Sequence, residues 1–253
     1  MKQNNLVKQI TLSGLLLALV IICTRLLSLQ NIPVIPFVRI SLGPALIVFA
    51  SLYLGPISGL IVGAASDILG IVLFPNALGY SINPLFTVIY GLLGLLPCFV
   101  YRLIKKVNSE KMTFSLLPAI LGLLCGFVVL FVCLNDSMTL FGKTYEFLTW
   151  HKWVISIGVI VLSALTLFLL TLTKHQLEKK YGEGTTDVYH IAVTVTIVEI
   201  VVMLIGNTLV KTFYFEVDFL VVLFSQAIVF FIDIPLNTFI CALLMRLIQK
   251  VNL

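Results

Sequence analysis

Eight apolar runs, each close to the length of a membrane-spanning helix, dominate this sequence. They lie at about 9–29, 38–54, 56–74, 84–104, 114–134, 152–173, 188–210 and 219–245. A helix crossing the hydrocarbon needs about 20 apolar residues. Barrel strands would instead alternate in polarity over about ten residues. Lipid offers backbone amides no water to bond, so runs of this length must fold as helices. Composition agrees: the chain is 60% hydrophobic and 11% charged, with mean hydropathy +1.14, where a soluble domain carries about 25% charge. Polar groups are too few to cover a globular surface. The reading is an all-α membrane protein, which excludes water-soluble enzymes and nucleic-acid-binding modules. The net charge of +5 does not restore a nucleic-acid partner, because the basic residues fall in loops between the runs.

The breaks between runs have local causes. Asn31, Pro33 and Pro36 end the first run, and Gly55-Pro56 makes a tight turn. Pro75, Asn76, Gly79 and Asn83-Pro84 mark the next loop, and 174–187 is the longest polar stretch. The first run follows Lys2 and Lys8 with no small-residue cleavage site before a polar domain, so it is expected to be a retained helix. With the N-terminus inside and eight crossings, eleven Lys and Arg fall inside and five outside. The positive-inside rule therefore predicts that both termini are cytoplasmic. The five cysteines are scattered with no CxxC, and are expected to act as small hydrophobes.

Small residues recur four apart. Gly14 and Ala18 do so in the first run, and Gly55, Gly59 and Gly63 in the third. Such stripes let another backbone approach closely, either within this chain or on a separate membrane subunit. Three acids sit inside apolar runs: Asp67, Glu199 and Asp233. Intramembrane acids are expensive and mark either function or a buried partner, so each is a candidate for a proton or structural role. Asp67 lies among small residues near a loop, Asp233 lies near Pro235, and Glu199 has no obvious local partner. Toward the outer ends lie Arg39, Tyr80, Ser81, Asn83, Thr87, Asn207, Thr208, Lys211, Tyr214 and Gln226. If those ends converge, they form an outward cavity of aromatic walls and a few polar groups, as small-molecule sites do. Interfacial anchoring is the alternative. Phe141-Gly142-Lys143-Thr144 resembles the end of a phosphate-binding loop but lacks its first glycine, and no HExxH or GxSxG chemistry is present. No enzyme, metal or ATPase reading follows.

Several strings in order carry a family resemblance. They are Gly14-Leu15-Leu16-Leu17-Ala18-Leu19, Arg39-Ile40-Ser41-Leu42-Gly43-Pro44, Leu54-Gly55-Pro56-Ile57-Ser58-Gly59, Val62 through Gly70, and Leu73-Phe74-Pro75. Residues 10–106 resemble the substrate-binding (S) components of energy-coupling factor (ECF) vitamin transporters, most closely the folate-type branch. Gly206-Asn207-Thr208-Leu209, Tyr214, Phe219-Leu220 and Pro235 look like that family's last two helices.

The resemblance implies a six-helix bundle from 1–106 and 188–253, with 107–187 as an inserted transmembrane hairpin and polar loop. It implies capture of a water-soluble vitamin, folate-like or other, outside a prokaryotic cell. It also implies association with a transmembrane coupling subunit and two cytosolic ATPases, which use the ATP; no cofactor is expected in this chain. Gly14 and Ala18 correspond to the docking face for the coupling subunit, and the S component topples in the membrane to release its ligand. Arg39, Asn83, Thr87, Asn207 and Gln226 are the expected polar contacts to substrate, with Tyr80 and Tyr214 for stacking. The competing expectations are a stand-alone proton-coupled transporter using Glu199, Asp67 or Asp233, and a membrane enzyme or scaffold.

Overall fold

A computed structural model describes residues 2–32, 35–74, 83–107, 110–140, 143–181 and 188–251. The helices are α1 (Lys2–Arg25), α2 (Gly43–Leu54), α3 (Pro56–Leu73), α4 (Pro84–Val107), α5 (Glu110–Leu134), α6 (Thr149–Tyr181), α7 (Val188–Val198), α8 (Asn207–Phe215) and α9 (Phe219–Val251). A π-helical segment, Glu199–Gly206, joins α7 to α8, so Val188–Phe215 forms one apolar rod. Among the described residues seven helical rods are long and apolar enough to cross a membrane. The expected all-α membrane architecture is observed.

The eighth run behaves differently. A helix over 38–54 was expected, but α2 has only 12 residues, about 18 Å at 1.5 Å per residue. The residues before it form a strand instead: β1 (Leu29–Ile32) pairs antiparallel with β2 (Ile35–Ile40), Gln30 opposite Arg39. Pro44 sits in the first turn of α2, where its missing N–H costs nothing. Gly55 ends the helix at φ +102°, a conformation open to glycine. Every residue of α2 from Gly43 to Ser51 is buried, because α1, α3, α4 and α9 surround it. A helix walled by protein need not match the lipid thickness by itself.

The small-residue stripe of α3 serves packing inside the chain. A methyl group on Gly59 would lie 2.2 Å from the Gly94 carbonyl oxygen, and one on Gly63 2.1 Å from that of Tyr90. Only glycine lets α3 and α4 approach this closely. Beside Pro97, the Cys98 N–H donates to Ser51 Oγ (3.3 Å), tying α4 to α2.

Two apolar cores result. One joins α1–α4 to α7 and the C-terminal half of α9, around Val20, Ile47, Leu93, Val195 and Cys241. The other joins α5 and α6 to α7 and the N-terminal half of α9, around Leu121, Val159, Leu170 and Phe231. Pro235 has no N–H to give the Phe231 carbonyl one turn earlier. Thr166 of α6 supplies the missing donor, its hydroxyl reaching Phe231 O at 2.6 Å. A second short hairpin, β3 (Ser137–Leu140) with β4 (Lys143–Glu146), caps the α5–α6 turn. The helix α6 runs on to Tyr181, so the polar stretch 174–187 begins as helix; Lys174 there lies over the Tyr189 ring at 4.4 Å.

Candidate functional site

The end of α1, strand β2, the C-terminal part of α3, the N-terminal part of α4, α8 and the start of α9 converge at one end of the bundle. Strand β2 lies against α9, and α8 packs on α4 and α9. Asp67 of α3 is the organising acid. Its Oδ1 stands 3.6 Å from Arg25 Nη2, with side chains only 5% and 6% exposed. Its Oδ2 accepts the Thr87 hydroxyl at 2.8 Å. Asp67 therefore binds α1 and α4 to α3. Gly70, one turn on, leaves room for Arg25: a methyl there would meet Arg25 Nε at 2.6 Å.

Arg39 reaches the same region from β2, within electrostatic range of Arg25, Asp67 and Lys211. Its Nε and Nη2 are buried and donate no hydrogen bond. Lys211 of α8 is buried beside it. Gln226 of α9 donates to Thr208 Oγ1 of α8 at 2.9 Å, and Thr208 in turn donates to the Leu204 carbonyl. Tyr214 meets Phe86 edge to face, ring centres 6.5 Å apart.

The expected residues thus have unequal fates. Thr87, Arg39, Gln226 and Tyr214 lie among the converging elements. Asn83 is buried and caps α4: its Oδ1 accepts the Leu85 N–H at 2.9 Å, with Pro84 in the first turn. Asn207 is half-buried. Tyr80 lies outside the described residues. A groove of about 430 Å³ opens nearby between Leu85, Leu209, Val210, Thr212 and Phe213. Its mouth is formed by strongly exposed apolar side chains such as Leu209 and Phe213, so it faces lipid and includes none of the expected contacts.

A second polar cluster lies deeper. Glu199 is 2% exposed and does have a partner: Asn237 Nδ2 of α9 donates to its Oε1 at 2.6 Å. Asp233 is one helical turn before Asn237 on α9, within electrostatic range of Glu199. Glu199 Oε2, Asp233 Oδ1 and Asn237 Oδ1 are buried without a hydrogen-bond partner. Glu199 opens the π-helical segment, a local widening that is common at functional positions. On α1, Gly14 and Ala18 lie on an exposed face, with nothing within 4 Å of a methyl built on Gly14.

Sequence reasoning missed two participants, Arg25 and Asn237; Lys211 was placed among the converging polar groups but not singled out as a substrate contact. Arg25 was visible only as a basic residue past the end of the first run. Asn237 carried a signal, a carboxamide four residues after Asp233 inside an apolar run.

Among the described residues no group of three or more His, Cys, Asp or Glu could hold a metal ion. Comparison with curated proteins and comparison with solved structures each gave no match. A family model does match: the ECF-type riboflavin transporter, S component, over residues 4–146. That is more than half of the chain and runs through α1–α5 into β4. The chain belongs to the ECF-type riboflavin transporter S component family, and is a multi-pass, substrate-binding subunit of an energy-coupling factor transporter rather than an enzyme.

Proposed function

We propose that this subunit captures a water-soluble vitamin from the outer side of a prokaryotic cell membrane, both of its termini being cytoplasmic. The convergence of Arg39, Thr87, Tyr214 and Gln226 at one end of the bundle is the observation that carries this reading. Asn83, Asn207 and Tyr80 belong to the same end by sequence position. The vitamin named for the matching family is riboflavin; the resemblance noted above points to a folate-like ligand. A thermal-shift screen of the purified chain against both, with pantothenate, niacin, thiamin and cobalamin, decides between them, because a ligand that binds only the folded state raises the melting temperature. No shift with any vitamin in well-folded protein would sink the reading.

Uptake depends on a transmembrane coupling subunit and two cytosolic ATPases, which use the ATP. The Gly14–Ala18 face of α1 is our assignment for docking the coupling subunit, supported by its openness and by the close backbone approach that small residues permit. The subunit then topples to present its ligand inside. Helices α5 and α6 are read as an added hairpin, since they pack on each other and on α7 and α9. Asp67 and Glu199 are assigned structural roles, each holding a partner from another helix.

A second reading, a stand-alone proton-coupled transporter, draws on the unpartnered Glu199 Oε2 and Asp233 Oδ1. Uptake that persists without any ATPase and collapses with the proton gradient would favour it.

A further inference from the structure

The charges of the outer cluster do not balance. Among the described residues three basic side chains, Arg25, Arg39 and Lys211, share it with one acid, Asp67. Asp67 has already engaged both oxygens, one toward Arg25 at 3.6 Å and one with Thr87 at 2.8 Å. A guanidinium keeps its charge in any protein environment. Removing such a charge from water without a partner costs several kcal/mol. Arg25 has Asp67 and is held in place against Gly70. Arg39 feels Asp67 only at a distance, with no ion pair or hydrogen bond to it among the described residues. Its two unpartnered buried donors, Nε and Nη2, form one edge of the guanidinium fork. That edge matches two oxygens of a carboxylate or phosphate.

We infer that the outer cluster binds an oxyanion carried by the substrate, a carboxylate or a phosphate ester. Arg39 is its bidentate partner and Lys211 the second positive charge. The inference rests on the reading of this end as the substrate site and narrows it to anionic ligands. Riboflavin itself carries no such group, so the charge balance sets this chain apart from a binder of the neutral vitamin alone. A lipid phosphate has the same chemistry, and the experiment separates the two sources.

The test uses the whole chain in nanodiscs of phosphatidylcholine and compares matched pairs by calorimetry: riboflavin with riboflavin 5′-phosphate, and nicotinamide with nicotinate. The anionic member of at least one pair is expected to bind about 10- to 100-fold tighter, the scale of charge-assisted hydrogen bonds. Arg39→Gln should erase that preference. Arg39→Lys, which keeps the charge without the fork, should retain part of it. Asp67→Asn removes the competing acid, so it should melt earlier while keeping or raising affinity for the anion; a purely structural cluster would not divide these two readouts. A neutral member that binds as tightly as its anionic twin, indifferent to Arg39→Gln, overturns the inference and leaves the vitamin-binding reading standing. Nanodiscs containing phosphatidylglycerol should leave the preference intact. If that lipid abolishes it, the anion is the headgroup and the substrate assignment falls. If no vitamin binds and no coupling subunit copurifies, the functional reading itself has failed.

Discussion

Two polar clusters interrupt this apolar protein, and they err in opposite directions. The outer one has surplus donors: Arg25 and Arg39 keep buried N–H groups without acceptors. The deeper one has surplus acceptors: Glu199, Asp233 and Asn237 keep buried oxygens without donors. The outer cluster is assembled from α1, β2, α3, α4 and α8, while the deeper one joins the π-helical segment to α9. A surplus of donors where several elements meet at one end of the bundle suits an arriving anion. A surplus of acceptors on two packed helices suits a fixed contact that can hold a proton. The contrast teaches that burial alone does not define a site; what is left unsatisfied, and where it stands, does.

The largest expected effect comes from Asp67→Asn. It leaves Arg25 without its counter-charge, and breaking a buried pair in this way costs about 3–5 kcal/mol. The thermal midpoint in detergent should fall steeply, and an unchanged midpoint would show that the pair is spectator to the fold. Next is the deeper cluster. Asn237→Ala strands Glu199 Oε1 and should cost about 1–3 kcal/mol, whereas Glu199→Gln keeps an acceptor for Asn237 and should melt close to the native protein. If instead Glu199→Gln stops uptake while vitamin binding and coupling-subunit capture survive, the deeper cluster moves proton rather than holding helices. Bulky substitutions at Gly14 and Ala18, to Leu, should reduce copurification of the coupling subunit with little change in vitamin binding, because that face is open.

Smaller effects sharpen the same contrast. Thr166→Val removes the hydroxyl that covers the Phe231 carbonyl, and membrane hydrogen bonds of this kind average about 0.6 kcal/mol; a midpoint drop of several degrees would mean that α6 is latched to α9 far more tightly. The smallest concerns an exposed ion pair, Asp136 with Lys152 at 2.7 Å. The hydrogen bond and charge of Lys152 hold the Asp136 carboxyl below its usual range. A depressed carboxyl contributes stability above its unfolded pKa, and that contribution is lost as the pH falls through the folded value. Exposed pairs contribute little, so the prediction is spectroscopic: Lys152→Ala should raise the Asp136 titration midpoint while the melting temperature barely moves. The same chemistry at Arg25–Asp67, out of water, governs the fold.

Much of this was legible from the chain alone. The rods follow from run length, and Gly55-Pro56 announced its turn. The small-residue stripe of α3 was visible, but not its partner. In lipid a leucine facing another helix and one facing acyl chains look alike, so hydropathy cannot tell which stripe meets α4 and which stays open. The strand before α2 escaped notice because an apolar run ending in proline reads equally well as the start of a helix. Expected contacts fared by the same logic. Asn83-Pro84 is a local helix-start signal, and its carboxamide went to the cap. Thr87 had no local partner and found Asp67, 20 residues away.

The sequence by itself determined the solvent and the helical form of the long spans, because length and polarity of a run are local properties; that the run at 38–54 would split into a strand and a short buried helix was decided by packing. Tertiary structure alone decided the rest. Thirty-eight residues separate Glu199 from Asn237 and 42 separate Arg25 from Asp67. Such distances along the chain close only when helices pack, and it is packing that left Arg39 with donors and nothing to give them to.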